Sequence, residues 1–175
     1  MKQFRQGLIV GRFQGFHLGH RYVIDEALSH CDRVLVFIGS SNQSGTRINP
    51  FEFELRAEIL RAVYGRRIKI RPLPDIGVGD CAKWGDYVIT RAVKEAGMPD
   101  CVVYGNEDKC KKWFVNFPDI HFVSLDRQDI PVNATILRKM ILDNDRKGFE
   151  QFTDPRVWQY FETMREKLLA VEESN

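Results

Sequence analysis

The segment Gly11-Arg12-Phe13-Gln14-Gly15-Phe16-His17-Leu18-Gly19-His20 holds the residues with the clearest chemical potential in this 175-residue chain. Glycines at four-residue spacing let backbone approach a ligand closely and leave N–H groups available to an anion. His17 and His20 stand three apart, so at the start of a helix they share one face at its positive end. Two imidazoles there could donate hydrogen bonds to a polyphosphate. The segment is not the dinucleotide fingerprint G-x-G-x-x-G, and no Walker loop ending in G-K-[ST] occurs in the chain. The bland alternative is a glycine-rich turn carrying two solvated histidines. What separates the two readings is where the segment sits in the fold.

The elements around it favour chemistry. Leu8-Ile9-Val10 is a short apolar run bounded by Gly7 and Gly11 and reads as a buried strand of a parallel sheet. A helix follows from about Leu18, with Val23, Ile24 and Ala27 on one face, and then a second buried strand, Val34–Ile38. Pro50 suits the first position of a helix that carries Phe51, Leu55, Ile59, Leu60 and Val63 inward. Ile68–Leu73 is a strand stopped by Pro74. Ala82–Ala96 is helical and closes at Gly97. Cys101–Tyr104 is a fourth strand and Phe122–Leu125 a fifth. Helices over Ala134–Leu142 and about Pro155–Ala170 have no strand between them and form a small C-terminal annex. The expected architecture is a single α/β domain: a doubly wound parallel sheet of about five strands over residues 1–143, with a helical extension over 144–175. Such sheets bind ligands at the carboxyl ends of their strands, and the Gly11–His20 segment follows the first strand directly.

Composition removes other classes. With 43% hydrophobic and 29% charged residues the chain is too apolar to be disordered. No run approaches the roughly 18 uninterrupted apolar residues of a membrane span, and Arg12 interrupts the only apolar stretch near the N-terminus that resembles a signal sequence. A net charge of +2 gives no case for nucleic acid, and neither a basic stripe nor an interleaved aromatic platform is visible. Cys31, Cys81, Cys101 and Cys110 contain no C-x-x-C pair and read as reduced thiols in a cytoplasmic protein, with no metal site among them.

GRFQGFHLGH closely resembles the GRFQPFHxGH signature of archaeal-type nicotinamide-mononucleotide adenylyltransferases, members of the HxGH nucleotidyltransferase superfamily. The resemblance recurs in the same order at Ser40–Ser44 through Asn49-Pro50-Phe51 and Arg56, at Pro74-Asp75 with Trp84, at Tyr104-Gly105-Asn106, and at Asn133–Arg138. It implies attack by a mononucleotide 5′-phosphate on the α-phosphorus of ATP, with Mg²⁺ accompanying the triphosphate. It further implies that His17, His20 and Arg138 act on the phosphates and that Gly11, Arg12, Phe13, Arg47, Gly105, Asn106 and Thr135 complete the ATP site. Phe16, Asp75 and Trp84 are expected to bind the mononucleotide, with the indole face of Trp84 against its cationic ring. The family also implies homo-oligomers. Trp113 and Trp158 read as packing residues, and Lys109, Lys111 and Lys112 as a solvated face.

Four positions depart from the family pattern. Gly15 stands in place of a proline and loosens the turn while keeping its path available. Arg47 comes one residue early. Leu55 replaces a glutamate and takes a partner from Arg56. Asn133-Ala134 removes a hydroxyl before Thr135. Two other functions compete with the first: a different HxGH adenylyl- or cytidylyltransferase, against which Asp75 with Trp84 argues, and a nucleotide-binding regulatory module with little turnover.

Overall fold

The computed structural model describes residues 2–79, 81–104, 112–125 and 130–174. Strands β1 (Phe4–Gly11), β2 (Cys31–Gly39), β3 (Lys69–Leu73), β4 (Cys101–Tyr104) and β5 (His121–Ser124) form one parallel sheet in the order β3-β2-β1-β4-β5. Helices α1 (Leu18–His30), α2 (Phe53–Tyr64) and α3 (Ala82–Ala96) lie between successive strands from β1 to β4. This is the expected doubly wound sheet. Its strand order reverses between β1 and β4, the place where such sheets open a ligand crevice.

Side chains alternate across the sheet and divide the core in two. Ile9, Val34, Val36, Ile38 and Val103 pack with α1 and α2 on one face. Leu8, Leu35, Phe37 and Val102 pack with Val88, Ile89 and Ala92 of α3 on the other. Cys31 and Cys101 are buried free thiols whose Sγ atoms lie 3.4 Å apart.

Helix α2 begins at Phe53 and not at Pro50. The reason is tertiary. Phe51 N donates to Gln14 Oε1 at 2.9 Å, and Phe51 O accepts from Gln14 Nε2 at 3.1 Å, so Phe51 is tied to the loop after β1 before the helix can start.

The C-terminal region comprises α4 (Ala134–Leu142), α5 (Arg146–Gln151), a 3₁₀ helix (Pro155–Tyr160) and α6 (Phe161–Glu173). The expected 155–170 helix is thus a 3₁₀ turn opened by Pro155 and followed by α6. Helix α5, capped by the Asp145 side chain accepting from Gly148 N at 2.9 Å, is too short for periodicity to reveal. Phe149, Val157, Phe161, Met164 and Leu168 are buried in the same cluster as α1 and α2. Leu18 N, the first amide of α1, donates to Phe152 O at 2.9 Å. Asp154, 2% exposed, accepts from Arg21 of α1 at 3.1 Å and from two nitrogens of Arg156 at 2.7 Å each. Arg156 also donates to Val63 O in the last turn of α2, at 2.6 Å. The annex therefore fastens the start of α1 to the end of α2. Among the described residues no helix is long and apolar enough to cross a membrane.

Candidate active site

The chain leaves β1 at Gly11 and turns sharply, with Phe13 in the left-handed region at φ 51° and Gly15 at φ 104°. A proline is locked near φ −65°, so the turn takes a path at Gly15 that proline cannot follow. The substitution changes the path and does not merely loosen it. A Cβ at Gly15 would also meet Leu137 of α4 at 3.3 Å, so the glycine lets α4 close over the turn. The Gly15 amide closes the turn by donating to Phe13 O at 2.9 Å.

Two residues later His17 caps α1. Its Nδ1 accepts from Gly19 N at 3.1 Å, which puts the proton of the neutral ring on Nε2. His20, one turn on, stacks on His17 with ring centroids 3.9 Å apart. The rings of Phe13 and Phe16 flank His20 at 4.9 and 6.1 Å. The expected pairing on one helix face is met, and both rings sit at the positive end of α1. Gly11 allows this packing, since a Cβ there would reach 3.0 Å from the Phe13 ring.

Arg138 reaches the same turn from α4. Its Nη1 donates to Gln14 O at 3.0 Å, and Nη2 approaches Thr135 Oγ1 at 3.5 Å in the first turn of that helix. Burial disfavours its cation, and the neighbouring Arg12 charge disfavours it further. The charge of Arg12 thus acts on Arg138, and no carboxylate among the described residues counters it there. That arrangement suits an anion. Asn133 makes good the hydroxyl absent before Thr135, because its side chain accepts from Ile136 N at 2.9 Å and caps α4.

Arg56 is 1% exposed, and the absence of a glutamate at position 55 leaves it well satisfied. Its guanidinium donates to Arg12 O at 2.7 Å, Gly39 O at 2.8 Å, Ser40 O at 3.1 Å and Glu52 O at 3.2 Å. One buried cation therefore joins the turns after β1 and β2 to the start of α2. Burial lowers its pKa to about 10. Sequence reading missed both Arg56 and Gln14 as organisers. The signal was present: Arg56 lies on the same helical stripe as Ile59, Leu60 and Val63, where a charge has no place unless it is hydrogen-bonded.

Asp75 and Trp84 come together at the carboxyl end of β3. They line a cavity of about 390 Å³ with Gln43 and the 76–79 loop, within the usual range for a small-molecule site. Asn42 fixes the Asp75 backbone from both sides, accepting from its N–H at 2.8 Å and donating to its carbonyl at 3.2 Å. The Asp75 side chain is exposed, and its charge acts on Arg56. Behind Trp84 stands Trp113, ring centroids 4.4 Å apart. Trp113 does pack, as expected, but what it packs against is the candidate platform. Gly85 is required there, since a Cβ would strike the Trp113 carbonyl at 1.6 Å.

Four expected site residues stand elsewhere or lie outside the described residues. Phe16 is 1% exposed and lies under His20 against Tyr64, in the core and not on a cavity wall, because its ring fills the space beneath α1. Arg47 is exposed and its guanidinium meets Glu172 of α6 at 3.2 Å, so its early position turns it toward the C-terminal helix. Gly105 and Asn106, with Lys109 and Lys111, lie outside the described residues.

A family model described as cytidylyltransferase-like matches residues 8–149. The chain belongs to the cytidylyltransferase-like family. Within it, the chain is 40% identical over 89% of its length to a nicotinamide-nucleotide adenylyltransferase of Saccharolobus solfataricus, covering 88% of that protein. It is 32% identical over 89% of its length to one from Aeropyrum pernix, again covering 89% of the relative. Among solved structures, this cytidylyltransferase-like chain superposes with a TM-score of 0.79 on a bifunctional NMN adenylyltransferase/ADP ribose pyrophosphatase from Francisella tularensis, at 25% identity. That match covers 98% of the chain and 54% of the bifunctional protein, so the chain spans about half of its length.

Proposed function

We propose that the protein is a nicotinamide-nucleotide adenylyltransferase, moving AMP from ATP to nicotinamide mononucleotide with release of NAD and pyrophosphate. One observation carries the reading. A phosphate-directed group after β1 and on α4, made of Arg12, His17, His20 and Arg138, stands at the same end of the sheet as the Asp75–Trp84 cavity after β3. The relationship to adenylyltransferases of that name supports it.

An oxygen of the mononucleotide 5′-phosphate bonds to the α-phosphorus while the bond to the α–β bridging oxygen breaks and pyrophosphate departs. The nucleophile is already an anion at neutral pH, so no general base is needed. Rate then depends on alignment and on stabilising charge at the α-phosphate and leaving group. His17 and His20 donate to the phosphates, His20 at the α–β bridge. Arg138 grips the β- or γ-phosphate as a fork, with Thr135 beside it. Gly11, Arg12 and Phe13 form the nucleotide side of the cleft. Trp84 stacks on the pyridinium and Asp75 hydrogen-bonds the carboxamide or ribose.

Among the described residues no group of three or more His, Cys, Asp or Glu could cage a metal. That donor chemistry suits a Mg²⁺ held mainly by phosphate oxygens and water. The ion neutralises charge on the triphosphate. The reading brings with it a cytoplasmic location, a homo-oligomeric assembly, and neither nucleic acid nor membrane as partner.

The test is product identification by mass after incubation with Mg²⁺, ATP and nicotinamide mononucleotide. NAD formed only when both nucleotides are present supports the reading. ATP binding without NAD or pyrophosphate rejects it.

A further inference from the structure

A cavity of about 620 Å³ opens at the amino-terminal end of β2 and β3, the opposite end of the sheet from His17 and His20. Six cations line it: Arg33 from β2, Arg61 from the last turn of α2, Arg66 and Arg67 from the turn that follows, and Lys69 and Arg71 from β3. Asp32 and Glu95 are the only carboxylates in the lining. An excess of four positive charges thus borders one cavity in a chain whose formal net charge is +2, and the rest of the chain is net negative.

Internal partners account for only part of this charge. Glu95 is taken by Arg71 at 2.6 Å and Lys69 at 3.8 Å. Arg61 complements the negative end of α2. Arg67 lies over the Tyr64 ring, 6.0 Å from its centroid. Among the described residues, no acidic side chain pairs with Arg33, Arg61, Arg66 or Arg67. Like charges gathered on one cavity repel one another, and two carboxylates against six cations leave that repulsion only partly offset.

We propose that this cavity is a second anion site, which binds a compact polyphosphate, either free or carried on a nucleotide. Its volume falls in the range of small-molecule sites. Arginine forks match phosphate oxygens in pairs, and arginines line this cavity from three separate elements. The lining contains no aromatic ring on which a base could stack, so it does not suit a nucleic-acid strand. The site shares no residue with the adenylyl-transfer site and stands whether or not that reading holds.

The experiment is calorimetric titration of the full chain with inorganic tripolyphosphate, repeated on R33Q/R66Q, R61Q/R67Q and R138Q. The full chain should bind in two classes. Each double variant should weaken one class by about tenfold or more while the rate of adenylyl transfer is unchanged, and R138Q should weaken the other. Both double variants should also melt higher than the parent in low salt without ligand, and should lose the stabilisation that tripolyphosphate gives. The two pairs lie on different segments, so misfolding of one leaves the test to the other. Displacement of bound tripolyphosphate by ADP more readily than by pyrophosphate identifies a nucleotide-borne anion; equal displacement identifies the free anion. A single class removed by R138Q overturns the proposal, as does a second class that neither double variant alters. Tighter, steeply salt-dependent binding of a single-stranded oligonucleotide to the same arginines would also overturn it, in favour of a nucleic-acid surface.

Discussion

His20 is the residue on which turnover should depend most. It stacks on the capping His17 and is held between Phe13 and Phe16, so its position is set by packing and its loss removes one donor without opening the fold. His20→Ala should lower kcat by roughly a hundredfold or more, the scale for one charge-stabilising donor, with an unchanged melting temperature. A near-normal rate would remove His20 from the mechanism. On the proposed function, Trp84 serves the other substrate. Trp84→Ala should raise KM for the mononucleotide and leave that for ATP alone, and Trp113→Ala should move the same constant by less, because Trp113 acts through the indole it backs. A general loss of secondary structure in Trp84→Ala, read by circular dichroism, would make Trp84 a core residue instead. The placement of both histidines at the start of α1 and of Trp84 beside the cavity after β3 was legible in the sequence, because motif and element order fix it. The buried place of Phe16 was not, since an aromatic ring between two functional residues reads equally well as wall or as core.

At the scale of the element, the turns after β1 and β2 are organised by side chains donating to backbone. Arg56 serves four carbonyls from inside the protein, and Arg56→Leu would leave them buried without donors. The expected cost is about 3 kcal/mol or more, measured as a lower denaturant midpoint at constant m. Lysine, with a single ammonium, cannot span the same four acceptors, so Arg56→Lys should recover only part of it. Strands and long helices were legible from apolar runs and periodicity, and α3 and α4 carry the expected bounds. What sequence could not supply was the start of α2, fixed by Gln14 from 37 residues away, or helix α5 with its single buried residue Phe149. These depend on tertiary contacts that leave no local pattern.

Across the whole molecule, the C-terminal quarter is structural to α1, the helix that carries both histidines. Hydrogen bonds from Arg156, with help from the Arg21 charge, hold the Asp154 carboxyl below its ordinary value of 3.8. The unfolded chain therefore binds the proton more readily, and the carboxylate's contribution is complete above pH 3.8 and is lost as pH falls through the lower folded value. Asp154→Asn should reduce stability at neutral pH and flatten the acid limb of stability against pH, as read by denaturation midpoints between pH 7 and 3. A chain ending at residue 143 would lose Phe149, Val157, Phe161, Met164 and Leu168 from the main cluster. At about 1.5–3 kcal/mol for each large apolar side chain, that rivals the whole stability of a domain, roughly 5–15 kcal/mol. Such a chain should lack a cooperative melting transition, and a sharp transition by calorimetry would contradict this. Because Leu18 N is satisfied by Phe152 O, the order of synthesis matters too. A growing chain completes its sheet and both histidines well before the residues that seat α1 have left the ribosome. The site is thus completed only once residues 149–168 have been made, and a product terminated before them would carry the signature motif without a seated helix to use it.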